Sequence, residues 1–119
     1  MILVVDDDHT ILKLVRELLE AEGYEVRTAH DGASAYKHLK EKACKGLLLD
    51  LLMPGINGAE LLLLMQAEGV HLPVVIMAGS PDFDEEEMKQ FSNVKRLLHK
   101  PFYPEDLLAA VREFMPRPK

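Results

Sequence analysis

Leu47-Leu48-Leu49-Asp50-Leu51-Leu52-Met53-Pro54-Gly55-Ile56-Asn57-Gly58 is the stretch from which the fold follows. A run of leucines ends on one carboxylate, then breaks at a Pro-Gly pair and a second glycine. A short apolar run bounded by turn residues fits a strand buried on both faces, as strands of parallel sheets are. An acidic group at the carboxyl end of such a strand, facing an open loop, stands where α/β sheets hold their ligands. Asp50 is therefore the first candidate for chemistry.

The same unit recurs on either side. Met1 to Val5 is a bare apolar run ending in three aspartates and predicts a buried strand. Thr10 to Glu22 carries Ile11, Leu12, Val15, Leu18 and Leu19 at helical spacing, with Asp8 ahead of it as a cap rather than a ligand and Gly23 as the stop. Tyr24 to Ala29, with Val26 and Thr28 alternating, reads as a second strand. Asp31 is placed to cap a helix that turns Ala35, Tyr36 and Leu39 inward and closes near Lys42. After the Leu47–Asp50 strand, Asn57 caps a helix to about Ala67, ended by Gly69. Pro73 to Ala78 is a fourth buried strand. Ser80 to Phe91 begins with carboxylates that suit a helix N-terminus, and Arg96 to His99 is a short fifth strand. Pro104 sits at a first helical turn, followed by the stripe Leu107, Leu108, Val111 and Phe114. Five strand–helix units with short connections predict an α/β fold: a flavodoxin-like, doubly wound, five-stranded parallel sheet, (βα)5, strand order 2-1-3-4-5. One domain spans residues 1–119, with 115–119 read as a short basic tail.

Composition excludes several classes. A formal net charge of −6 argues against direct nucleic-acid binding, which needs clustered Lys and Arg. The single Cys44 forbids an internal disulfide and suits a reducing compartment. No apolar run reaches the ~18 residues of a membrane span, and no signal-peptide layout opens the chain. The expectation is a cytoplasmic protein.

The strand ends share one rim, which gathers Asp6, Asp7, Asp8, Asp50, Ala78 and Lys100. Two like charges about 5 Å apart at an effective dielectric near 20 repel by roughly 3 kcal/mol. A divalent cation relieves this, and an all-oxygen site suits Mg²⁺. Such an ion and a lysine would also neutralise an incoming phosphoryl group attacked by a carboxylate. Lys100 precedes Pro101, and a cis bond there would be one way of aiming its side chain at the rim.

Val4-Val5-Asp6-Asp7-Asp8, the Asp50-to-Gly58 stretch and Lys100-Pro101-Phe102 together resemble the receiver domain of two-component response regulators, over essentially the whole chain. The resemblance implies that Asp50 takes a phosphoryl group from a phosphohistidine, with a sensor histidine kinase or phosphotransfer protein as donor and a downstream protein as target. It implies Mg²⁺ held by Asp6 (often through water), Asp7, Asp50 and the backbone carbonyl of Leu52, with Lys100 pairing with the phosphoryl group. The only chemistry expected is the domain's own phosphorylation and dephosphorylation.

Two positions depart from the family. Thr or Ser usually ends the fourth strand, where this chain has Ala78, and an aromatic residue usually stands three before the lysine, where it has Leu97. These are the family's switch positions, and a hydrogen bond to a charged group contributes roughly 1.5–3 kcal/mol, the size of a typical allosteric coupling. The expectation is a domain that is phosphorylated but switches weakly or by another route. Ser80, beside Pro81, reads as an ordinary loop serine before it reads as a substitute hydroxyl.

In Leu61-Leu62-Leu63-Leu64-Met65, residues 61, 62 and 65 fit the core, which turns Leu63 and Leu64 outward. With Leu97 and Tyr103 they are the candidate interaction surface, compatible with a monomer or a weak homodimer. The histidines His9, His30, His38, His71 and His99 lack a metal-ligand spacing and read as surface or packing residues. The leading function is a stand-alone receiver acting through protein contact. The alternatives are a constitutive docking or dimerisation module and, remotely, a haloacid dehalogenase-like phosphatase with Asp6 as nucleophile.

Overall fold

Alternation along the strands sorts the core into two layers. The computed structural model describes residues 1–41, 43–53, 55, 57–79 and 85–117, and of residues 85 and 87 the backbone alone. Strands β1 (Ile2–Val5), β2 (Val26–Ala29), β3 (Gly46–Asp50), β4 (Val74–Gly79) and β5 (Val94–Lys100) pair in parallel, in the order β2-β1-β3-β4-β5. Leu3, Val5, Leu47, Leu49, Val74, Ile76 and Ala78 face one side. They pack there with residues of α2 (Gly32–Leu39), α3 (Gly58–Ala67) and the short α4 (Glu85–Met88). Ile2, Val4, Leu48, Val75 and Met77 face the other side, against α1 (His9–Ala21) and α5 (Pro104–Phe114). This is the expected doubly wound sheet, and because both faces are covered the strands need no polar alternation.

The helix starts follow the sequence reading. Asp8 caps α1 by accepting from the N–H groups of Thr10 and Ile11, and Asp31 caps α2 by accepting from Ser34 N–H. Asn57 and Glu60 form a reciprocal capping box on α3. The ends differ more. Helix α2 stops at Leu39, not near Lys42, which lies outside the described residues. Lys40 and Glu41 offer nothing to bury, and the next apolar anchor, Cys44, tucks into the core after a turn. Burial raises the Cys44 thiol pKa.

The helix expected over Ser80–Phe91 is described only as Glu85–Met88, with 80–84 outside the described residues. Met88 and Phe91 are its apolar anchors, and Phe91 N–H closes a turn on Met88 C=O. Strand β5 is longer than the Arg96–His99 core read from sequence, because all of β4 pairs with it across a register shift at Val74/Val75. Met115, the first residue of the expected tail, is buried beneath β3 instead, where its side chain fills the space a Cβ on Gly46 would need.

Candidate functional site

Register brings the carboxylates together. Val5 pairs with Leu49, so the next residue on each strand, Asp6 and Asp50, emerges at the same edge. Both are buried, whereas Asp7 is exposed. One oxygen from each of Asp6, Asp7 and Asp50 lies within 4.8 Å of the others. Lys100, the last residue of β5, enters from across the sheet. Its Nζ donates to Asp6 Oδ2 at 2.7 Å and stands 3.5 Å from Asp50 Oδ2. The Lys100–Pro101 peptide is cis.

The hydrogen bonds divide the carboxylates by duty. Asp6 Oδ1 accepts from Asp8 N–H at 2.9 Å and Oδ2 takes Lys100, so both of its oxygens are engaged. Asp50 Oδ1 accepts from Leu52 N–H at 3.2 Å. Burial, and then the Asp6 charge, raise the Asp50 carboxyl to a pKa of about 7, against the opposing pull of Lys100 and the Leu52 N–H. For Lys100, burial works to lower the pKa, but the Asp6 hydrogen bond and the charges of Asp6 and Asp50 outweigh it and leave the ammonium more basic than usual. Fully ionised, three carboxylates against one lysine leave the site strongly negative, and its donor set is all oxygen. That chemistry fits a hard dication such as Mg²⁺.

The positions named as a switch lie on the α3/α4 side of the sheet. Ala78 is fully buried at the end of β4, paired with His99, while Leu97 pairs with Ile76 and is half-buried against the same core layer. Leu63 is 54 % exposed and Tyr103 74 %. Leu64, expected to turn outward like Leu63, is half-buried, and the four candidate surface residues lie in three separate segments of the chain. Ser80 lies outside the described residues.

One arrangement escaped the sequence reading. The rings of His9, at the start of α1, and His30, just after β2, stand edge to face with centroids 5.8 Å apart. Their separation along the chain resembles no ligand motif; the signal was the pairing of β1 with β2, which sets the loops that follow them side by side.

Residues 2–112 match the family model for the response regulator receiver domain. The chain belongs to that family. The receiver is 33 % identical over 118 residues to response regulator MprA of Mycobacterium ulcerans (strain Agy99), an alignment covering 99 % of this chain and 51 % of that protein. It thus spans about half the length of the curated relatives it matches. Among solved structures, the receiver superposes on a CheY-like receiver domain protein from Methanospirillum hungatei JF-1 with a TM-score of 0.86 at 25 % identity, covering 96 % of this chain and 92 % of that one. The receiver domain of NtrX from Brucella abortus gives 0.83 at 31 % identity, covering 95 % and 96 %. Membership implies two-component signalling, and receiver domains bind Mg²⁺ at an acidic pocket such as this one. Among the described residues, no helix is long and apolar enough to cross a membrane.

Proposed function

We propose that this receiver accepts a phosphoryl group on Asp50 from a phosphohistidine of a sensor kinase or phosphotransfer protein, and signals by protein contact. The carrying observation is the convergence of Asp6, Asp7 and Asp50 within 4.8 Å beneath the Lys100 ammonium. In the transfer, an Asp50 carboxylate oxygen forms the new bond to phosphorus. The P–N bond to the donor imidazole breaks and its electron pair stays on that nitrogen, which takes a proton from water when the ring's other nitrogen carries none. Lys100 lies close enough to Asp50 to pair with a phosphoryl oxygen once it turns from Asp6. Asp7, Asp50 and the Leu52 carbonyl would hold Mg²⁺, with Asp6, whose oxygens are already engaged, acting through water. When bound, the ion neutralises charge on the phosphoryl oxygens. The raised Asp50 pKa is the electrostatic cost that such an ion relieves.

The test is incubation with Mg²⁺ and a small acyl phosphate, read by intact mass. One phosphoryl group per chain, labile to alkali and to hydroxylamine and absent from Asp50→Asn, is the expected result. An unmodified parent, or label retained by Asp50→Asn, removes the proposal. The haloacid dehalogenase-like alternative has nothing in its favour: the nucleophile it requires, Asp6, is fully buried with both oxygens bonded.

A second reading concerns the response. Ala78 offers a methyl where the family's hydroxyl would meet the phosphoryl group, and Leu97 is aliphatic and half-buried. Both favour weak switching, and hence a partner bound almost equally well before and after phosphorylation. Large amide shift changes centred on Ala78 and Leu97 when the wild-type receiver is phosphorylated would sink this reading.

A further inference from the structure

His9 opens α1 and His30 directly follows β2, and their rings lie 5.8 Å apart between centroids. Two imidazoles that share one ion at a metal–nitrogen distance of about 2.05 Å have centroids about 4.5 Å apart at a right angle, about 5.2 Å at the tetrahedral angle and about 6.4 Å when opposed. The observed spacing falls inside that range. Both side chains are exposed, so the small ring rotations needed to aim two nitrogens at one point meet little packing resistance.

Asp31 adds a second, independent feature. One of its oxygens, Oδ1, is used by the Ser34 N–H in capping α2. The other, Oδ2, lies 3.5 Å from His30 Nδ1. At 3.5 Å the carboxylate stands on the Nδ1 side of the ring without yet hydrogen-bonding it, and a closer approach would favour the tautomer that offers the other nitrogen outward, the arrangement found behind metal-bound histidines. Imidazole ligands select a borderline dication over the hard Mg²⁺ of the carboxylate site.

We propose that His9 and His30, with Asp31 oriented behind His30, form a second cation site for a borderline transition-metal dication, Zn²⁺ being the probe of choice. The bound ion ties the start of α1 to the residue just after β2. Asp7, two residues before His9, carries a carboxylate of the first site just ahead of that helix, so the two cations share a rim but not their ligands.

Calorimetric titration of the full chain with Zn²⁺, under saturating Mg²⁺ to occupy the carboxylates, tests this. A single saturable site is expected. It weakens roughly tenfold or more in His9→Ala and in His30→Ala, less in Asp31→Asn (whose amide still caps α2), and not at all in His71→Ala. Thermal melts matching the parent establish that the exposed-site variants are folded. Wild-type Zn²⁺ affinity in both His9→Ala and His30→Ala, or loss of binding only in Asp7→Asn, overturns the assignment.

Discussion

Lys100 and Asp6 are 94 positions apart in sequence and 2.7 Å apart across the rim, closer than Lys100 is to Asp50 at 3.5 Å. Without a phosphoryl group, the lysine chiefly neutralises the carboxylate that is fully buried. Replacing it strands that charge. Breaking a buried pair costs about 3–5 kcal/mol, and with Lys100 22 % exposed the expected loss for Lys100→Met is nearer 2 kcal/mol. Urea unfolding at pH 7.5 without divalent ions measures it, and added Mg²⁺ should restore part of the loss. An unchanged midpoint would mean that Lys100 is not the neutralising partner.

The Asp50 carboxyl rises from 3.8 to about 7 on folding. Between those values the folded chain keeps a proton that the unfolded chain has lost, so stability falls as pH rises. The contribution is fully present below about pH 4 and gone above about pH 7, with a span on the order of 4 kcal/mol. Without divalent ions, Asp50→Asn should flatten this part of the profile and be the more stable protein at pH 8. Mg²⁺ inverts the trend for the parent, because the ion binds the ionised carboxylate. Melting curves at pH 5 and pH 8, with and without Mg²⁺, check both signs.

Gly58, the first residue of α3, sits hard against the backbone of Asp50 and Leu51. A Cβ there would meet the Leu51 Cα at 2.7 Å and the Asp50 carbonyl oxygen at 2.8 Å, both backbone atoms that cannot step aside. Gly58→Ala should therefore cost about 2 kcal/mol or more and displace the loop after Asp50. Gly46→Ala meets only the Met115 side chain, whose sulfur would be 2.6 Å away, and a methionine can rotate. It should cost less. Paired urea midpoints decide, and equal losses would contradict the distinction.

On α3, adjacent leucines part company: Leu62 is 1 % exposed and Leu63 54 %. Leu62→Glu should prevent folding by burying an unpaired charge, whereas Leu63→Glu should change stability by less than about 0.5 kcal/mol. Circular dichroism checks the contrast. Sedimentation of Leu63→Glu against the parent then reports whether this leucine contributes to any self-association.

The pattern of strands, caps and rim carboxylates was legible in the chain because each is a local signal. Leucine runs, Asp8, Asp31 and Asn57 carry their structural meaning within a few residues. Asp50 and Lys100 became legible together, through three motifs in order. What stayed hidden depends on neighbours supplied by the fold. Helix α2 ends at Leu39 because of what its next residues fail to bury, and Met115 belongs to the core because Gly46 leaves room for it. The preference of Lys100 for Asp6 over Asp50, and the meeting of His9 with His30, are set by sheet order and by loops whose positions no sequence window contains.

The engagement of both Asp6 oxygens has a mechanical consequence. One holds the Lys100 ammonium at the end of β5; the other holds the N–H of Asp8, whose own side chain anchors the first turn of α1. The first helix and the last strand are thus latched through a single carboxylate, which closes the chain into a loop without a covalent bond. A ligand that draws Lys100 toward Asp50 opens that latch from one side, and the slack appears at both ends of the fold at once.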